Sequence, residues 1–398
     1  MPTFCRIVLA LNWIVALVWL LRVLTWRRGL DRVADLTRDG ADSPNAAPLP
    51  WLTVVVPARN EGAKIAATLR SLLRSEQVTL EIIAVDDRSG DQTGTVMDTI
   101  ASQAAAAGHP VLTALHVTEL PAGWLGKTHA MALGARHATG EWLLFTDGDV
   151  VFRPDALRRA LTYAVASHAD HLVLLPTMLM ESWGERTMTA FLQVMTLWAV
   201  QMWKLPDPKA RRDVIGVGAF NLIRREVYDA TGGWEAFRME VVEDLALGIA
   251  VKRRGFVQRA ALGRDLVSVR WLEGLFGVVG NLAKNLFAFF HFRPELLLAF
   301  LPLFALATLF PLAAAFAGGT SALATAVMLV AVGLAYQRQG RYQHFGPGQM
   351  IFFPAASLLM LYTMVRSMAV VLWKGGITWR GTFYPLSELR AQRNSRNA

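Results

Sequence analysis

The chain has 398 residues, 54% of them hydrophobic, and a net charge of +9. Its mean hydropathy of +0.34 is too high for an ordinary soluble protein of this size, and the apolar excess sits in residues 7–24 and 296–373, around a middle long enough for one large α/β domain. The charge does not indicate nucleic acid: basic residues cluster beside apolar spans, as in "TWRRGLDR" (25–32) and "LRAQRNSRN" (389–397), without base-stacking aromatics, so anionic lipid headgroups account for them better.

In chain order, "IVLALNWIVALVWLLRVL" (7–24) is long enough to span a bilayer, and Arg27, Arg28 and Arg32 directly after it put the following domain in the cytoplasm by the positive-inside rule. The single cysteine, Cys5, fits a reducing compartment. The expected division is an anchor over 1–26, a basic linker over 27–50, a catalytic domain over 51–270, an interfacial helix over 271–293, a membrane region over 294–373 and a basic tail over 374–398. Within the domain, strands are predicted at 51–58, 80–87, 110–117 and 141–147, with helices over 61–74, 92–106 and 127–138 between them. Fully apolar strands alternating with helices predict a mostly parallel sheet covered on both faces, with its ligand site at the carboxyl ends of the strands.

Polar groups gather at those ends. "PARNEG" (57–62) carries Arg59, Asn60 and Glu61 at the expected start of a helix, where free backbone N–H groups favour anions. "VDDRSGDQT" (85–93) supplies Asp86 and Asp87, and "LLFTDGDVVF" (143–152) supplies Asp147 and Asp149. Two carboxylates one residue apart repel each other, and burying either unpaired is costly. A cation between them removes both difficulties; a solvated Asp-Gly turn is the plain alternative. Asn60 as a helix cap and Asp87 as a turn residue are similar plain readings taken singly, but not for residues recurring at successive strand ends of one sheet.

In order and spacing, "VVVPARNE", "VDDRSGDQT", "TDGD" and "VEDLALG" (242–248) resemble family 2 glycosyltransferases with a GT-A, Rossmann-like fold. "LPAGWLGKTHAMALGARHATGEWLLFTDGD" and "VSVRWLEGLFGVVGNLAKN" resemble its membrane-bound subgroup of hopene-associated and carotenoid glycosyltransferases and, more distantly, ceramide glucosyltransferases. The resemblance implies that Pro57, Arg59, Asn60 and Glu61 line the nucleoside pocket and that Asp86 or Asp87 holds the base or ribose. Asp147 and Asp149 match a DxD motif bridging Mg²⁺ or Mn²⁺ to the donor diphosphate, a fit for hard oxygen ligands that share the ion with phosphate. Gly148 between them leaves the diphosphate room to approach the backbone. Asp244 would be the general base, with Glu243 the next candidate, and Lys127 or Arg270 would offset charge on the leaving group. A QxxRW motif of wider relatives survives only as "VSVRW", so Arg270 and Trp271 fill part of that role.

The implied activity is inverting, metal-dependent transfer of a sugar from a nucleotide diphosphate to a membrane lipid. The acceptor would be polyprenoid, hopanoid or sphingolipid-like, reached from an inner-membrane, multi-pass protein. Residues 187–203 and 272–291, the latter with Lys284 and Asn285 for headgroups, are candidates for the bilayer interface. A processive polysaccharide synthase and a non-catalytic nucleotide-binding scaffold are the alternatives. Three apolar stretches, 296–317, 320–336 and 349–373, would leave the basic tail outside if all crossed. Because Pro302 and Pro311 interrupt the first, it is expected to be the one that fails to cross, leaving the tail cytoplasmic.

Overall fold

The computed structural model describes residues 2–38, 48–108, 111–282 and 285–397. Residues 39–47 of the expected linker and Lys284 lie outside the described residues, as do the side chains of Leu197 and residues 392–397. The chain forms two compact units: one of Met1–Arg32, Met180–Gln201 and Trp271–Ile377, the other of Val33–Leu179, Met202–Arg270 and Thr378–Ala398. The stretch expected to be one domain, 51–270, is therefore interrupted by Met180–Gln201, and the tail beyond Thr378 folds with the catalytic unit.

The strands of the structure are β1 (Ala34–Asp35), β2 (Leu52–Ala58), β3 (Leu80–Asp87), β4 (Leu112–Val117), β5 (Trp142–Phe145), β6 (Val150–Phe152), β7 (His171–Leu174), β8 (Thr177–Met178), β9 (Asn221–Arg224), β10 (Gln258–Leu262), β11 (Val267–Val269), β12 (Gly376–Trp379) and β13 (Thr382–Pro385). Eight of them form one sheet in the order β1-β10-β7-β9-β5-β2-β3-β4. All neighbours run parallel except β9, which is antiparallel to both β5 and β7. The strands are continuously apolar because both faces are covered. Val54 and Val56 of β2 enter one core with Leu69, Met97 and Leu157, while Val55 enters the other with Met131, Leu247 and Trp234. A strand with only one covered face would alternate polar and apolar residues instead.

The antiparallel strand has a consequence for the site. Asn221 pairs with Phe145, so the loop before β9 arrives at the carboxyl end of β5. Beneath it, buried His171 donates from Nε2 to Asn221 Oδ1 while Gln258 Nε2 donates to His171 Nδ1 at 2.8 Å, which fixes a neutral tautomer. Burial holds the pKa of His171 down at about 4.

In the other unit, three helices among the described residues are long and apolar enough to cross a membrane: Thr3–Leu30, Ser321–Gln339 and Pro347–Lys374. The first two run side by side in the same direction. Asn12 Nδ2 lies 2.9 Å from Ser321 O and 3.0 Å from Thr325 Oγ1, and, more than three turns beyond Trp19, Asp31 pairs with Arg338. Between them the chain climbs the opposite way. Trp19 Nε1 donates to Ala307 O at 2.8 Å, whereas Ser321 Oγ donates to Ala314 O at 2.6 Å beside Asn12. Helices Pro294–Thr308 and Phe310–Ala314 make this climb with a break at Leu309, next to Pro311. Phe353, first residue of the helix Phe353–Lys374, packs edge-on to Trp19, with ring centroids 5.9 Å apart. Ser367, further along that helix, accepts from the Phe287 N–H at 3.2 Å. Within the interfacial helix expected over 271–293, the described residues Gly277–Leu282 and Asn285–Phe289 are helical.

Candidate active site

The first two motifs hold each other. Asn60 N–H donates to Ser89 Oγ at 2.9 Å, Glu61 N–H to Thr93 Oγ1 at 2.8 Å and Gly62 N–H to Asp91 Oδ2 at 3.0 Å. Asn60 Oδ1 accepts in return from Gly90 N–H at 2.9 Å. This corrects one expectation and removes one plain alternative. The N–H groups of 60–62 are not free for an anion, because "SGDQT" satisfies them; and Asn60, at φ +54, pins the neighbouring loop rather than capping a helix, which begins later, at Ile65.

Asp86 and Asp87 point to different partners. Asp86 accepts from Ser89 N–H at 3.2 Å and lies 3.4 Å from His116, whose other nitrogen is 3.0 Å from Asp98. Hydrogen bonding to Asp98 and Asp86 outweighs burial and raises the His116 pKa. Asp87 lines a cleft with Pro57, Arg59, Lys127 and Asp147, and its carboxylate is held by Arg88 at 2.8 Å with Arg59 at 3.8 Å. Gly126 allows this close approach, since a Cβ there would lie 2.1 Å from Asp87 Oδ2.

Lys127, in the first turn of the helix Gly126–His137, is the hub. Its Nζ lies 2.5 Å from Asp147 and 2.7 Å from Glu243. Burial alone would lower its pKa; the two carboxylates outweigh that and push it up, so it stays charged. Glu243 is buried and committed to this pair. Asp244 is not: its carboxylate accepts only from the N–H of Leu245, at 2.7 Å, among the contacts described. Burial, with Glu243 beside it and Lys127 opposing, raises its pKa to about 6. The two acids of "VED" thus differ in kind: one is an anchored counter-ion, the other a free carboxylate of the strength a general base needs.

Asp149 is raised to about 6 by burial and then by the negative charges of Asp147 and Glu61, with Lys64 and Arg380 only partly offsetting them. Such a site is short of positive charge. Among the described residues no three of His, Cys, Asp and Glu gather to hold a metal by themselves. The donor set therefore fits a hard dication held by Asp149 together with phosphate oxygens, and not a closed protein cage. Asp147 is less available than the motif suggests, because Oδ1 is taken by Lys127 and Oδ2 packs where a Cβ on Gly218 would come within 2.7 Å. Gly148, expected to make room for a diphosphate, faces Ala58 instead: a Cβ on Gly148 would lie 3.1 Å from the Ala58 Cβ.

Arg270 follows β11 directly and Trp271 opens a segment of the other unit; neither is among the cleft residues. Two contributors were not foreseen. The "GVG" of 216–218 brings the loop before β9 against the acids: a Cβ on Gly216 would lie 2.0 Å from Asp244 O. The second is the tail, where Trp379, Arg380 and Tyr384 line the cleft. The G-x-G before an apolar run was a visible signal for the first.

A mostly parallel sheet with acids and a lysine clustered at its carboxyl ends is a doubly wound α/β fold with its site where such folds carry one. Residues 48–263 match the family described as glycosyltransferase like family 2, and the chain belongs to it. The protein is a glycosyltransferase with a GT-A fold. It is 26% identical over 350 residues to the 4,4'-diaponeurosporenoate glycosyltransferase of Staphylococcus aureus strain USA300, covering 85% of this chain and 89% of that one. The protein of the same name from strain MRSA252 matches equally over 349 residues. Among solved structures, the mannosyltransferase PcManGT of Pyrobaculum calidifontis, in complex with GDP-Man and Mn²⁺, shares the fold. Its TM-score is 0.54 at 19% identity, over 92% of this chain and 99% of that one.

Proposed function

We propose that this glycosyltransferase moves a sugar from a nucleotide diphosphate to a membrane lipid with inversion, using Asp244 as base. The observation that carries the reading is the split between the two neighbouring acids: Glu243 is bound to Lys127, while Asp244 stands unpaired with a pKa of about 6. Asp244 takes the proton of the acceptor hydroxyl as that oxygen bonds to the anomeric carbon. The bond from that carbon to the donor's phosphate oxygen breaks on the opposite face, and its electron pair leaves with the nucleotide diphosphate. Lys127 holds Asp147 and Glu243 in place and supplies positive charge near the departing group. A divalent cation, when bound at Asp149, would neutralise the diphosphate further. The PcManGT complex with GDP-Man and Mn²⁺ supports the donor and metal classes, and the relatives' carotenoid-related name supports a lipid acceptor. Nucleotide binding by the full-length protein, with and without Mn²⁺, tests this: Asp149→Asn should abolish the Mn²⁺ dependence. Nucleotide binding indifferent to chelator in the wild type would remove the metal from the reading.

We also infer that the chain crosses the membrane three times, with the catalytic unit and tail on the cytoplasmic side. Parallel packing of Thr3–Leu30 with Ser321–Gln339 supports a crossing by residues 294–317, the stretch expected from its prolines not to cross. Helices 294–308 and 310–314 supply about 30 Å of rise, enough for the hydrocarbon core. Since the tail belongs to the catalytic unit, the stretch Pro347–Lys374 must enter and return on one side. Arg27 and Arg28 then share a side with Arg338 and Arg341, as the positive-inside rule asks. Cysteine labelling at Gly319 from outside and at His344 only from inside is the expected pattern, and labelling of His344 from outside would refute it.

A further inference from the structure

We propose that the hairpin after the last apolar helix carries a donor-positioning residue, Arg380, which Glu61 holds while the cleft lacks a donor and which the donor's diphosphate then takes over. The proposal rests on the donor reading above and adds to it a segment far from every motif of the domain.

Strands β12 and β13 are joined by two residues, Arg380 and Gly381, with φ of +46° and +81°. Positive φ at both central positions is the signature of a type I′ turn, where Asn, Asp or Gly at the first position costs least. Arginine there is an unfavourable local choice, and an observed backbone outlier beside a cleft invites a functional explanation.

Its side chain supplies one. Arg380 Nη2 lies 2.5 Å from Glu61 Oε1, and Nη1 donates to Arg59 O at 2.6 Å. The hairpin does not need this arginine for attachment. Arg59 Nη1 already donates to Thr382 Oγ1 at 3.1 Å, and Gly126 N–H to the Tyr384 hydroxyl at 3.2 Å. Those two bonds fasten the hairpin to the ends of β2 and of the Lys127 helix, on the two sides of the cleft.

The Arg380–Glu61 pair lies at the mouth, 42% and 14% exposed at the side chains, so exchange of partners costs little desolvation. A diphosphate offers the guanidinium fork a bidentate acceptor of higher charge than one carboxylate. Arg380 already contributes positive potential at Asp149. Its transfer from Glu61 to the diphosphate would draw the hairpin onto the donor and leave Glu61 free.

The test uses the full-length protein in lipid nanodiscs with UDP, GDP and inorganic pyrophosphate, each with Mn²⁺, alongside thermal unfolding. Arg380→Asn should unfold at the same or a higher temperature, since Asn suits the turn, yet bind the preferred nucleotide and pyrophosphate at least tenfold more weakly. Arg380→Lys should recover part of that loss. Glu61→Gln, which removes the competing anion, should tighten pyrophosphate binding. Wild-type affinity in Arg380→Asn, or weaker binding only in step with a lowered unfolding temperature, would overturn the proposal while leaving the donor reading intact. Failure of the wild type to bind either nucleotide would instead overturn the donor reading, and this proposal with it.

Discussion

The two units handle buried polarity in opposite ways. In the catalytic unit, ionised groups crowd one end of the sheet in charged pairs, Lys127 with Asp147 and Glu243, Asp87 with Arg88, Arg380 with Glu61, whereas among the contacts described Asp244 accepts only from the Leu245 N–H. In the apolar unit, most buried polar side chains are small or neutral, among them Asn12, Ser321, Thr325, Ser357 and Ser367, and bond to backbone groups or to one another; buried Glu185 is the exception, its carboxylate accepting from the N–H of Glu181 at 2.8 Å and of Gly274 at 2.9 Å. Water and mobile counter-ions can reach the sheet edge, so charge there is affordable and can be left unpaired where chemistry needs it. Between apolar helices an unpaired charge has no such relief, and neutral hydrogen bonds are what remains.

That contrast can be broken most sharply at the unpaired acids. Asp244→Asn is expected to lower turnover by roughly 10²–10⁴-fold with donor affinity near normal, as loss of a general base does. Glu243→Gln should cost less in turnover, because it removes a counter-ion of Lys127 and not the base. Steady-state kinetics with a fixed acceptor measure both, and a larger loss in Glu243→Gln would reverse the two assignments. With Asp244 titrating near pH 6, wild-type turnover should rise as pH increases through that value, the protonated acid below it being unable to accept a proton.

A middle-sized effect concerns buried polarity that must stay neutral. His171 is depressed in the folded state, from 6.5 to about 4, chiefly by burial. Its contribution is therefore fully present above pH 6.5 and is lost as pH falls towards 4, on the order of 3 kcal/mol in all. Asp149 and Asp244, raised to about 6, act with the opposite sign: the stability they add below their unfolded pKa is lost as pH rises through about 6. Comparing denaturant unfolding of the wild type with His171→Gln isolates the histidine, since only the wild type should show the added acid loss. Equal slopes with pH would place His171 outside the titration.

The smallest effect belongs to the apolar unit. Asn12→Ala removes the amide that reaches Ser321 and Thr325, and should cost only about 0.6 kcal/mol, because neutral interhelical bonds in membranes are individually weak. Unfolding in mixed detergent micelles measures it. A loss of several kcal/mol would mean that this unit relies on buried polarity as heavily as the catalytic one.

Sequence by itself determined the local and periodic features. The β-branched runs of β2, β3 and β5 could be read as strands buried on both faces, and Asp87, Asp147 and Asp149 could be placed at strand ends, because residue type and short spacing carry that information, whereas Lys127 and Asp244 were named through the resemblance of their motifs to a known family. The directions of β9 and of the climb over 294–314 were decided only in three dimensions. Each depends on a partner far away in the chain: Phe145 for Asn221, Trp19 for Ala307. The same holds for the difference between Glu243 and Asp244, which are adjacent and chemically alike until Lys127 reaches one of them. Arg380 was hidden for that reason too. More than 300 residues separate it from Glu61, and no local pattern reports a contact made by folding the tail back across the sheet edge.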